Sequence, residues 1–379
     1  MAQIKLIIIC GEASGDLQAA GLAKELLSLN PQIKIAGVGG TLLGQSGAEI
    51  YSDINGLSVL GFFDALKKLP KFFSLKKLIL EKIKEEKPKA IILVDFSGFN
   101  LRLAKDINKS IPVIYYISPQ VWASRQGRVK TIKKYISKML VFFKFEQEFY
   151  KKFGLDVDFM GHPLLDIVKP GMDKEGFFAR FSLSADKKII TLLPGSRRQE
   201  IENILPIMLK ASLLISAKIK DAQFIIAKSP QLDLALYNRI TKASYINLKI
   251  IDGLAYDCLN VSDFCLVASG TATLETAIMQ KPFVVIYKLG LLNYLLYRPQ
   301  VKTPYIGMVN IVAGRKIVPE FIQFQAIPEK IAEEVLRIFD NPSERERMKY
   351  GLAQVKASLG ESGAASRAAK IIIDFLNKA

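Results

Sequence analysis

The sequence is poor in the residues from which disulfide frameworks and metal sites are built. Among its 379 residues are only three cysteines (Cys10, Cys258 and Cys265) and one histidine, His162. Three cysteines cannot form a disulfide framework, and with a single histidine they offer no zinc-ligand spacing. We therefore expect a cytoplasmic protein that needs no metal and no other cofactor.

The sequence also lacks a long apolar run. No uninterrupted stretch reaches the roughly 18 residues that a membrane-spanning helix needs. The nearest approach, residues 283–297, is interrupted by Lys288 and Asn293. Residues 1–10 have neither the basic beginning nor the small-residue cleavage site of a secretory signal. We expect no transmembrane segment and no signal peptide.

Acidic residues are scarce relative to basic ones. The chain has 36 Asp and Glu residues against 53 Lys and Arg residues, which gives a formal net charge of +17. Such a surface attracts nucleic acid, anionic lipid or a phosphorylated substrate, and composition does not choose among them. Half of the residues are hydrophobic, so the chain can bury a sizeable core. Its length fits two domains of roughly 150 residues each, or one large domain.

Short runs rich in Ile, Val and Leu recur along the chain, and each is followed by a helical pattern. Because these runs are apolar throughout, they indicate parallel strands that are covered on both faces. We predict an α/β protein with two doubly wound, Rossmann-like domains at residues 1–165 and 166–349, followed by the helical residues 350–379. The predicted strands are residues 4–10, 33–38, 90–94, 113–117, 139–143, 157–160, 189–193, 223–227, 248–251, 264–267 and 283–286.

Ligands of doubly wound sheets bind beyond the carboxyl ends of the strands, so the strand-to-helix loops are the candidate sites. The first of these loops, GEASGD, lacks the glycine spacing of a dinucleotide fingerprint, and its carboxylates would repel a pyrophosphate. Glu12 and Ser14 suit sugar hydroxyls, and we predict that they bind the acceptor of a transfer reaction. The alternative is a tight turn in which Asp16 caps the next helix.

Asp95 follows the predicted strand at residues 90–94. Partial burial there raises the pKa of a carboxyl group and makes it a better general base. We predict that Asp95 is the catalytic base and that Asn100, near the start of the next helix, binds the acceptor. The alternative is that the two side chains only cap that helix.

The loop YISPQVWASRQGR contains Trp122, the only tryptophan. A basic segment starts near the end of this loop: residues 125–138 include six basic residues and no acidic one. Tryptophan beside a basic helix suits RNA, through stacking and phosphate contacts, and it equally suits a phosphorylated lipid. The alternative is a solvated helix face, above all for Lys130, Lys133 and Lys134.

In the second domain, LLPGSRR leads from a predicted strand into a helix through Gly195, Ser196 and Arg197. Backbone N–H groups at a helix start attract an anion, and Arg197 adds a fixed positive charge. The GxxxxGK[ST] spacing of a P-loop is absent. We predict that these three residues bind a nucleotide and that Arg197 stabilises a leaving diphosphate, while Arg198 is solvated.

The loop ASGTATLE is the most specific of the set. Ser269, Gly270, Thr271 and Ala272 present N–H donors to a diphosphate, and Glu275 lies four residues after Thr271 on the same helix face. A carboxylate in that position can bind both hydroxyls of a ribose, so the loop predicts a nucleoside diphosphate site. The alternative is a capped helix in which Glu275 is buried and paired.

Together these loops predict glycosyl transfer from a nucleotide sugar to an alcohol, with a base at the alcohol and stabilisation of the leaving diphosphate. No Asp-x-Asp pair follows a predicted strand, so we assign charge neutralisation to Arg197 and helix dipoles rather than to a metal. The alternatives are a sugar-nucleotide epimerase, a transferase with another acceptor, and a nucleic-acid-binding protein. His162 is either a structural residue or a contact to the phosphates.

Six motifs in one order, spanning nearly the whole chain, resemble the lipid-A-disaccharide synthase family: GEASGD, SPQVWASR, GHP, LLPGSR, ASGTATLE and NIVAGR. The resemblance implies the glycosyltransferase-B fold, with a C-terminal helix that returns to the first domain. It implies an inverting transfer from UDP-2,3-diacylglucosamine to 2,3-diacylglucosamine 1-phosphate, which yields a β-1,6-linked disaccharide 1-phosphate and UDP. By this resemblance Asp95 matches the general base, and Arg197, Glu275 and Asn310 match donor-site positions.

Two motifs depart from the family pattern. The family's Asp-x-Pro-Asp-Phe-Asn is DFSGFN here, so Asp95 matches the first Asp and Gly98 replaces the second. The family's Trp-Ala-Trp-Arg is WASR here, with Ser124 in place of the second Trp. The first departure removes a carboxylate near the base, and the second removes a stacking side chain.

Acylated substrates lie in membranes, so the resemblance implies a peripheral enzyme on the cytoplasmic face of the inner membrane. It also points to a homodimer that exchanges C-terminal segments, and we expect no nucleic-acid partner. Residues 59–77 interleave apolar groups with lysines and suit an anionic bilayer, as do residues 289–297. The alternative for the first segment is an amphipathic core helix. The side chains predicted to contact the membrane are Phe62, Phe63, Leu66, Lys67, Phe72 and Phe73.

Overall fold

The computed structural model describes residues 3–54, 69–242, 244–290, 294–295 and 303–378. Their contacts divide the chain into two compact units. Unit 1 comprises Met1–Pro163 and Leu359–Ala379, and unit 2 comprises Leu164–Ser358. No helix within these described ranges is both long and apolar enough to cross a membrane.

Unit 1 is built on a parallel sheet whose strands are β1 (Ile4–Ile9), β2 (Ile33–Gly39), β3 (Glu49–Asp53), β4 (Ala90–Val94), β5 (Val113–Tyr116), β6 (Lys138–Val141) and β7 (Asp158–Phe159). Their order across the sheet is β3-β2-β1-β4-β5-β6-β7. Strand β4 is completely buried, because helices cover both faces of the sheet. The helices before residue 163 are α1 (Ala13–Leu29), α2 (Thr41–Gln45), α3 (Leu69–Glu86), α4 (Ser97–Ile107), α5 (Val129–Tyr135) and α6 (Lys144–Lys151).

Unit 2 repeats the architecture with the strands β8 (Ile189–Leu193), β9 (Gln223–Lys228), β10 (Leu248–Asp252), β11 (Phe264–Ala268), β12 (Phe283–Tyr287) and β13 (Glu320–Ile322). These strands are parallel and lie in the order β10-β9-β8-β11-β12-β13. Its helices are α7 (Leu164–Ile167), α8 (Lys174–Phe181), α9 (Arg198–Ser216), α10 (Leu234–Thr241), α11 (Ala255–Val261), α12 (Ala272–Ile278), α13 (Met308–Ala313), α14 (Pro328–Asp340) and α15 (Pro342–Ser358).

The last helix, α16 (Ala364–Lys378), belongs to unit 1 and packs against α1. Arg367 fixes its start, because Nε donates to the carbonyl oxygen of Met160 at 2.8 Å. Gly161 has a φ of 81°, and a Cβ atom there would lie 2.5 Å from the Arg367 guanidinium. The predicted return of a C-terminal helix to the first domain is therefore confirmed.

Each sheet has one point where the chain reverses its direction of travel. In unit 1 the chain runs outward from β1 to β3, and β4 then pairs with the other side of β1. In unit 2 the same reversal occurs where β11 pairs with β8. Two doubly wound parallel sheets confirm the predicted fold class, and their reversal points are where such sheets bind ligands.

Candidate active site

The turns that follow β1 and β4 lie side by side, because these strands are neighbours at the reversal point of unit 1. Gly11 lies directly against the ring of Phe96, and a Cβ atom at residue 11 would be 2.4 Å from that ring. Only glycine lets the two turns pack in this way. The arrangement brings together two predicted site residues, Glu12 and Asp95.

Asp95 lies in a strained turn between β4 and α4. Asp95 and Phe96 both adopt left-handed backbone conformations, with φ angles of 47° and 45°, which residues other than glycine rarely do. The carbonyl oxygen of Asp95 accepts hydrogen bonds from Asn100 Nδ2 at 2.9 Å and from the Tyr115 hydroxyl at 2.6 Å. These two donors hold the turn in its strained form, as such a conformation requires.

The Asp95 carboxyl group is half-buried and chemically perturbed. Burial raises its pKa, the negative charge of Glu12 raises it further, and a hydrogen bond from the Phe96 backbone N–H acts in the opposite direction. A raised pKa makes a carboxylate a stronger base towards an alcohol proton. Within the described ranges no side chain forms an ion pair or hydrogen bond with this carboxylate, so it is available to a substrate.

Asn100 lies beneath this turn rather than on its surface. It is completely buried, and its Nδ2 also lies 3.3 Å from the carbonyl oxygen of Val94. The predicted contact of Asn100 with the acceptor stays a prediction. Sequence reasoning missed Tyr115 because it stands inside an apolar strand, where its hydroxyl leaves no pattern to detect.

The three polar side chains of the first loop differ in exposure. Glu12 and Ser14 are exposed at the start of α1. Asp16 is only 4% exposed, and its carboxylate accepts hydrogen bonds from the backbone N–H groups of Gly40, Leu42 and Leu43 at 2.7 to 3.2 Å. Asp16 lies inside α1 and therefore caps helix α2, so the alternative in which it caps the helix that follows its own loop is wrong.

Trp122 is buried rather than presented to a ligand. Its indole Nε1 donates to Glu146 at 3.0 Å, and burial raises the pKa of this enclosed carboxyl to about 7. An enclosed indole cannot stack on a nucleic-acid base. The main support for the RNA-binding alternative is thereby removed.

In unit 2, the turn after β8 is closed by its own helix. The carboxylate of Glu200 accepts hydrogen bonds from the backbone N–H groups of Ser196 at 2.9 Å and Arg197 at 3.2 Å, and from Arg197 Nη1 at 2.8 Å. At Gly195, where φ is 113°, a Cβ atom would meet Glu200 at 2.4 Å. The backbone N–H groups of Ser196 and Arg197, which we expected to face an anion, thus donate to the Glu200 carboxylate. The Arg197 side chain is exposed, so its guanidinium could exchange Glu200 for an anionic ligand.

The turn after β11 has open donors and a held carboxylate. Within the part of the chain that the structure describes, the backbone N–H groups of Gly270, Thr271 and Ala272 have no acceptor. The hydroxyl of Tyr256 in α11 donates to Glu275 Oε1 at 3.1 Å, and burial raises the pKa of Glu275. Tyr256 orients one carboxylate oxygen and leaves the other for a hydroxyl of a ligand.

Ser269 connects this turn to the loop before α13, and Asn310 lies within α13. The Ser269 hydroxyl donates to the carbonyl oxygen of Ile306 at 3.1 Å. Asn310 is completely buried; its Nδ2 donates to Glu320 at 2.8 Å, and its Oδ1 accepts from the backbone N–H of Ile317 at 2.7 Å. Its side chain is committed to internal bonds, and its predicted contact with the nucleotide stays a prediction.

Unit 2 also has a cavity of about 810 Å³ that is separate from these turns. Its lining includes Ile189 at the start of β8 and Pro282 just before β12. It therefore lies at the amino-terminal ends of the strands, opposite the loops predicted to bind the nucleotide. The described residues contain no cluster of three or more His, Cys, Asp or Glu side chains that could hold a metal ion.

His162 and the predicted membrane segment complete the set of predicted residues. His162 packs between Phe142 and Phe143, and burial lowers its pKa to about 4, so its ring is neutral at pH 7. In α3, Phe73 is 62% exposed, whereas Phe72 packs on Phe96 and Phe99. The predicted membrane contacts outside the described residues are Phe62, Phe63, Leu66 and Lys67.

Comparison with known proteins identifies relatives along the whole chain. A family model described as lipid-A-disaccharide synthetase matches residues 6–372. The lipid-A-disaccharide synthase of Syntrophus aciditrophicus is 39% identical over 375 residues, which are 98% of each chain. That of Myxococcus xanthus is 38% identical over 373 residues, which cover 98% of this chain and 97% of the relative.

Solved structures share the fold at low sequence identity. A putative UDP-N-acetylglucosamine 2-epimerase from Listeria monocytogenes has a TM-score of 0.66 at 15% identity, and covers 100% of this chain and 98% of its own. The calicheamicin glycosyltransferase CalG4 has a TM-score of 0.63 at 17% identity, and covers 100% of each chain. Because epimerases and glycosyltransferases both appear, the fold alone does not separate the two activities.

Proposed function

Because the chain belongs to the lipid-A-disaccharide synthase family and is therefore a glycosyltransferase of lipid A biosynthesis, we propose how its two reversal points divide the reaction. The donor is UDP-2,3-diacylglucosamine, and the acceptor is 2,3-diacylglucosamine 1-phosphate. Unit 2 binds the nucleotide of the donor, and the turns of unit 1 bind the acceptor. The products are a β-1,6-linked disaccharide 1-phosphate and UDP.

The observation that carries this proposal is the half-buried carboxylate of Asp95 at the reversal point of unit 1, which has no side-chain partner among the described residues. In the proposed step Asp95 accepts the proton of the acceptor 6-hydroxyl as that oxygen attacks the anomeric carbon of the donor. The bond from the anomeric carbon to the diphosphate breaks, and UDP leaves with the bonding electrons. Inversion follows because the attack occurs opposite the leaving group.

On the donor side, the charge that develops on the leaving diphosphate needs nearby donors. Arg197 supplies a positive charge once it exchanges Glu200 for the diphosphate. The N–H groups of Gly270, Thr271 and Ala272 supply further donors, and Glu275 binds ribose hydroxyls. Because Asn310 is buried, we assign it a positioning role for the loop at Ile306, which Ser269 contacts.

The acceptor side has fewer preformed contacts. Glu12 and Ser14 are exposed beside the Asp95 turn and are available to sugar hydroxyls. Asn100 and Tyr115 support the turn through its backbone, so we assign them a positioning role as well. The exposed Phe73 and the neighbouring lysines of α3 are consistent with a peripheral position on an anionic bilayer. Both this membrane position and the homodimer stay predictions.

The test is a product assay with both acylated glucosamine substrates in detergent micelles, followed by mass analysis. We expect a disaccharide 1-phosphate and an equimolar amount of UDP, formed only when both substrates are present. An epimerase would change the donor in the absence of any acceptor. UDP-2,3-diacylglucosamine converted without the acceptor, with no disaccharide formed, would overturn the proposal.

A further inference from the structure

Arg128 of unit 1 lies beside the Asp95 turn, and Arg125 and Arg102 are near enough for their charges to act on it. Arg128 Nη1 donates to the Ser97 hydroxyl at 3.3 Å. Burial lowers the pKa of Arg128, and the positive charges of Arg125 and Arg102 lower it further. None of these three guanidinium groups lies within 4.0 Å of a carboxylate in the described ranges. Among the described residues, these arginines thus repel one another and form no direct ion pair within unit 1.

The same place contains the start of helix α4. The residue before it, Phe96, provides no side-chain cap, and the backbone N–H groups of Ser97 and Gly98 have no acceptor among the residues described. A Cβ atom at Gly98 would meet no described residue within 4 Å, so this part of the chain leaves space beside the two N–H groups. The positive end of the helix dipole therefore adds to the field of the arginines.

The loop that contains Arg125 and Arg128 is held in place by hydrogen bonds. Trp122 is anchored by the buried Glu146, and the side chain of Gln126 donates to the Trp122 carbonyl oxygen at 3.4 Å. Arg125 adopts a left-handed conformation with a φ of 56°, and its carbonyl oxygen accepts from the Arg128 backbone N–H at 3.0 Å. Such anchoring lowers the entropic cost of binding a ligand.

These observations identify the kind of ligand. Guanidinium groups and helix N–H donors together match the oxygens of a phosphate monoester, which arginine binds through two parallel hydrogen bonds. We propose that Arg125 and Arg128, with the N–H groups of Ser97 and Gly98, bind the phosphate of the acceptor. This inference rests on the proposed function and extends it, because Ser97 is two residues from Asp95, the proposed base for the acceptor hydroxyl.

The experiment compares the phosphorylated acceptor with the same diacylglucosamine lacking its phosphate, in micelles of fixed composition. For Arg128→Gln we expect the KM of the phosphorylated acceptor to rise on the order of tenfold, because a charge-assisted hydrogen-bond pair is lost. The KM of the unphosphorylated acceptor and that of the UDP-sugar should stay unchanged. Arg128→Lys, which keeps the charge but loses the fork, should fall between the two.

Two further variants separate the site from general surface charge and from folding defects. Lys130→Gln removes an exposed charge from α5 and should leave all three KM values unchanged. Arg125→Gln changes an exposed residue and should reproduce the acceptor effect if Arg128→Gln does not fold. Turnover of the unphosphorylated acceptor reports on the integrity of each variant.

Three results would overturn the site assignment. Equal losses for both acceptors would mean that the arginines do not recognise the phosphate. A rise in the KM of the UDP-sugar would mean that the arginines bind the donor. An equal effect of Lys130→Gln would mean that they act only through general surface charge. If the wild-type enzyme transferred to neither acceptor, the proposed function itself would fail, which is a distinguishable outcome.

Discussion

The reversal points of the two sheets occupy equivalent positions in their units, but they differ in whether their charged side chains have partners. In unit 1 the Asp95 carboxylate has no side-chain partner among the described residues, and burial and Glu12 raise its pKa. In unit 2 the corresponding charges are held by neighbours, because Arg197 bonds to Glu200 and Glu275 accepts from Tyr256. One site is therefore suited to accepting a proton, and the other to holding a ligand in a fixed pose.

The difference shows how one architecture serves two tasks. A general base must stay unpaired and perturbed, whereas a binding group gains from being positioned before the ligand arrives. The unpaired state has a cost, because a half-buried carboxylate with a raised pKa is more easily protonated in the folded chain than in the unfolded one. Asp95 thus destabilises the fold above its folded-state pKa, and this cost disappears as the pH falls below that value.

The largest effect on activity is expected for Asp95→Asn. Turnover should fall by about 10² to 10⁴, because the acceptor proton loses its base, while UDP affinity should change little. The exposed Asp186→Asn is the matched control and should keep full activity. Steady-state kinetics measure turnover, and UDP titration measures affinity. A parallel loss of turnover and UDP affinity would mean that Asp95 binds the donor and is not the general base.

The next largest effect is expected on the unit 2 side of the comparison. Tyr256→Phe removes the hydrogen bond that orients Glu275, so we expect the KM of the UDP-sugar to rise about tenfold with kcat nearly unchanged. Tyr245→Phe changes a tyrosine that is 91% exposed and serves as the control. A loss in kcat alone would contradict a binding role for the Tyr256–Glu275 pair.

Most of the fold could be predicted from the sequence, because the central strands are buried on both faces and consist of apolar runs. Strands β3 and β13 were not predicted. They lie at the sheet edges and are only partly buried, and the segment EIYSD of β3 contains three polar residues and only two apolar ones. Edge strands are specified by their pairing with a neighbour and leave a weaker local pattern.

The residues of the candidate site also differ in whether they could be predicted from the sequence. Asp95, Arg197 and Glu275 could be found because they lie in the loop or the first helical turn that follows an apolar strand. Glu200 and Tyr256 could not, because their contacts depend on how separate segments fold onto one another. The expectation of open N–H donors at Ser196 and Arg197 failed for this reason, since Glu200 in the next turn of helix satisfies both.

The smallest effect is expected for Glu12→Gln, which tests the electrostatic difference between the two units. Removing this negative charge should lower the pKa of Asp95, so the acidic limb of the kcat/KM profile should move to lower pH. Turnover at neutral pH should change by less than about threefold, because Glu12 is exposed and solvent screens its charge. A limb that stays in place, or moves to higher pH, would show that Glu12 does not act on the catalytic carboxyl.

Hydrogen–deuterium exchange with and without UDP tests the division of labour between the units most directly. We expect UDP to slow amide exchange in peptides that contain residues 195–200 and 269–278, and to change it little in peptides with residues 11–16 and 95–100. Protection confined to residues 11–16 and 95–100, with residues 269–278 unaffected, would contradict this division of labour.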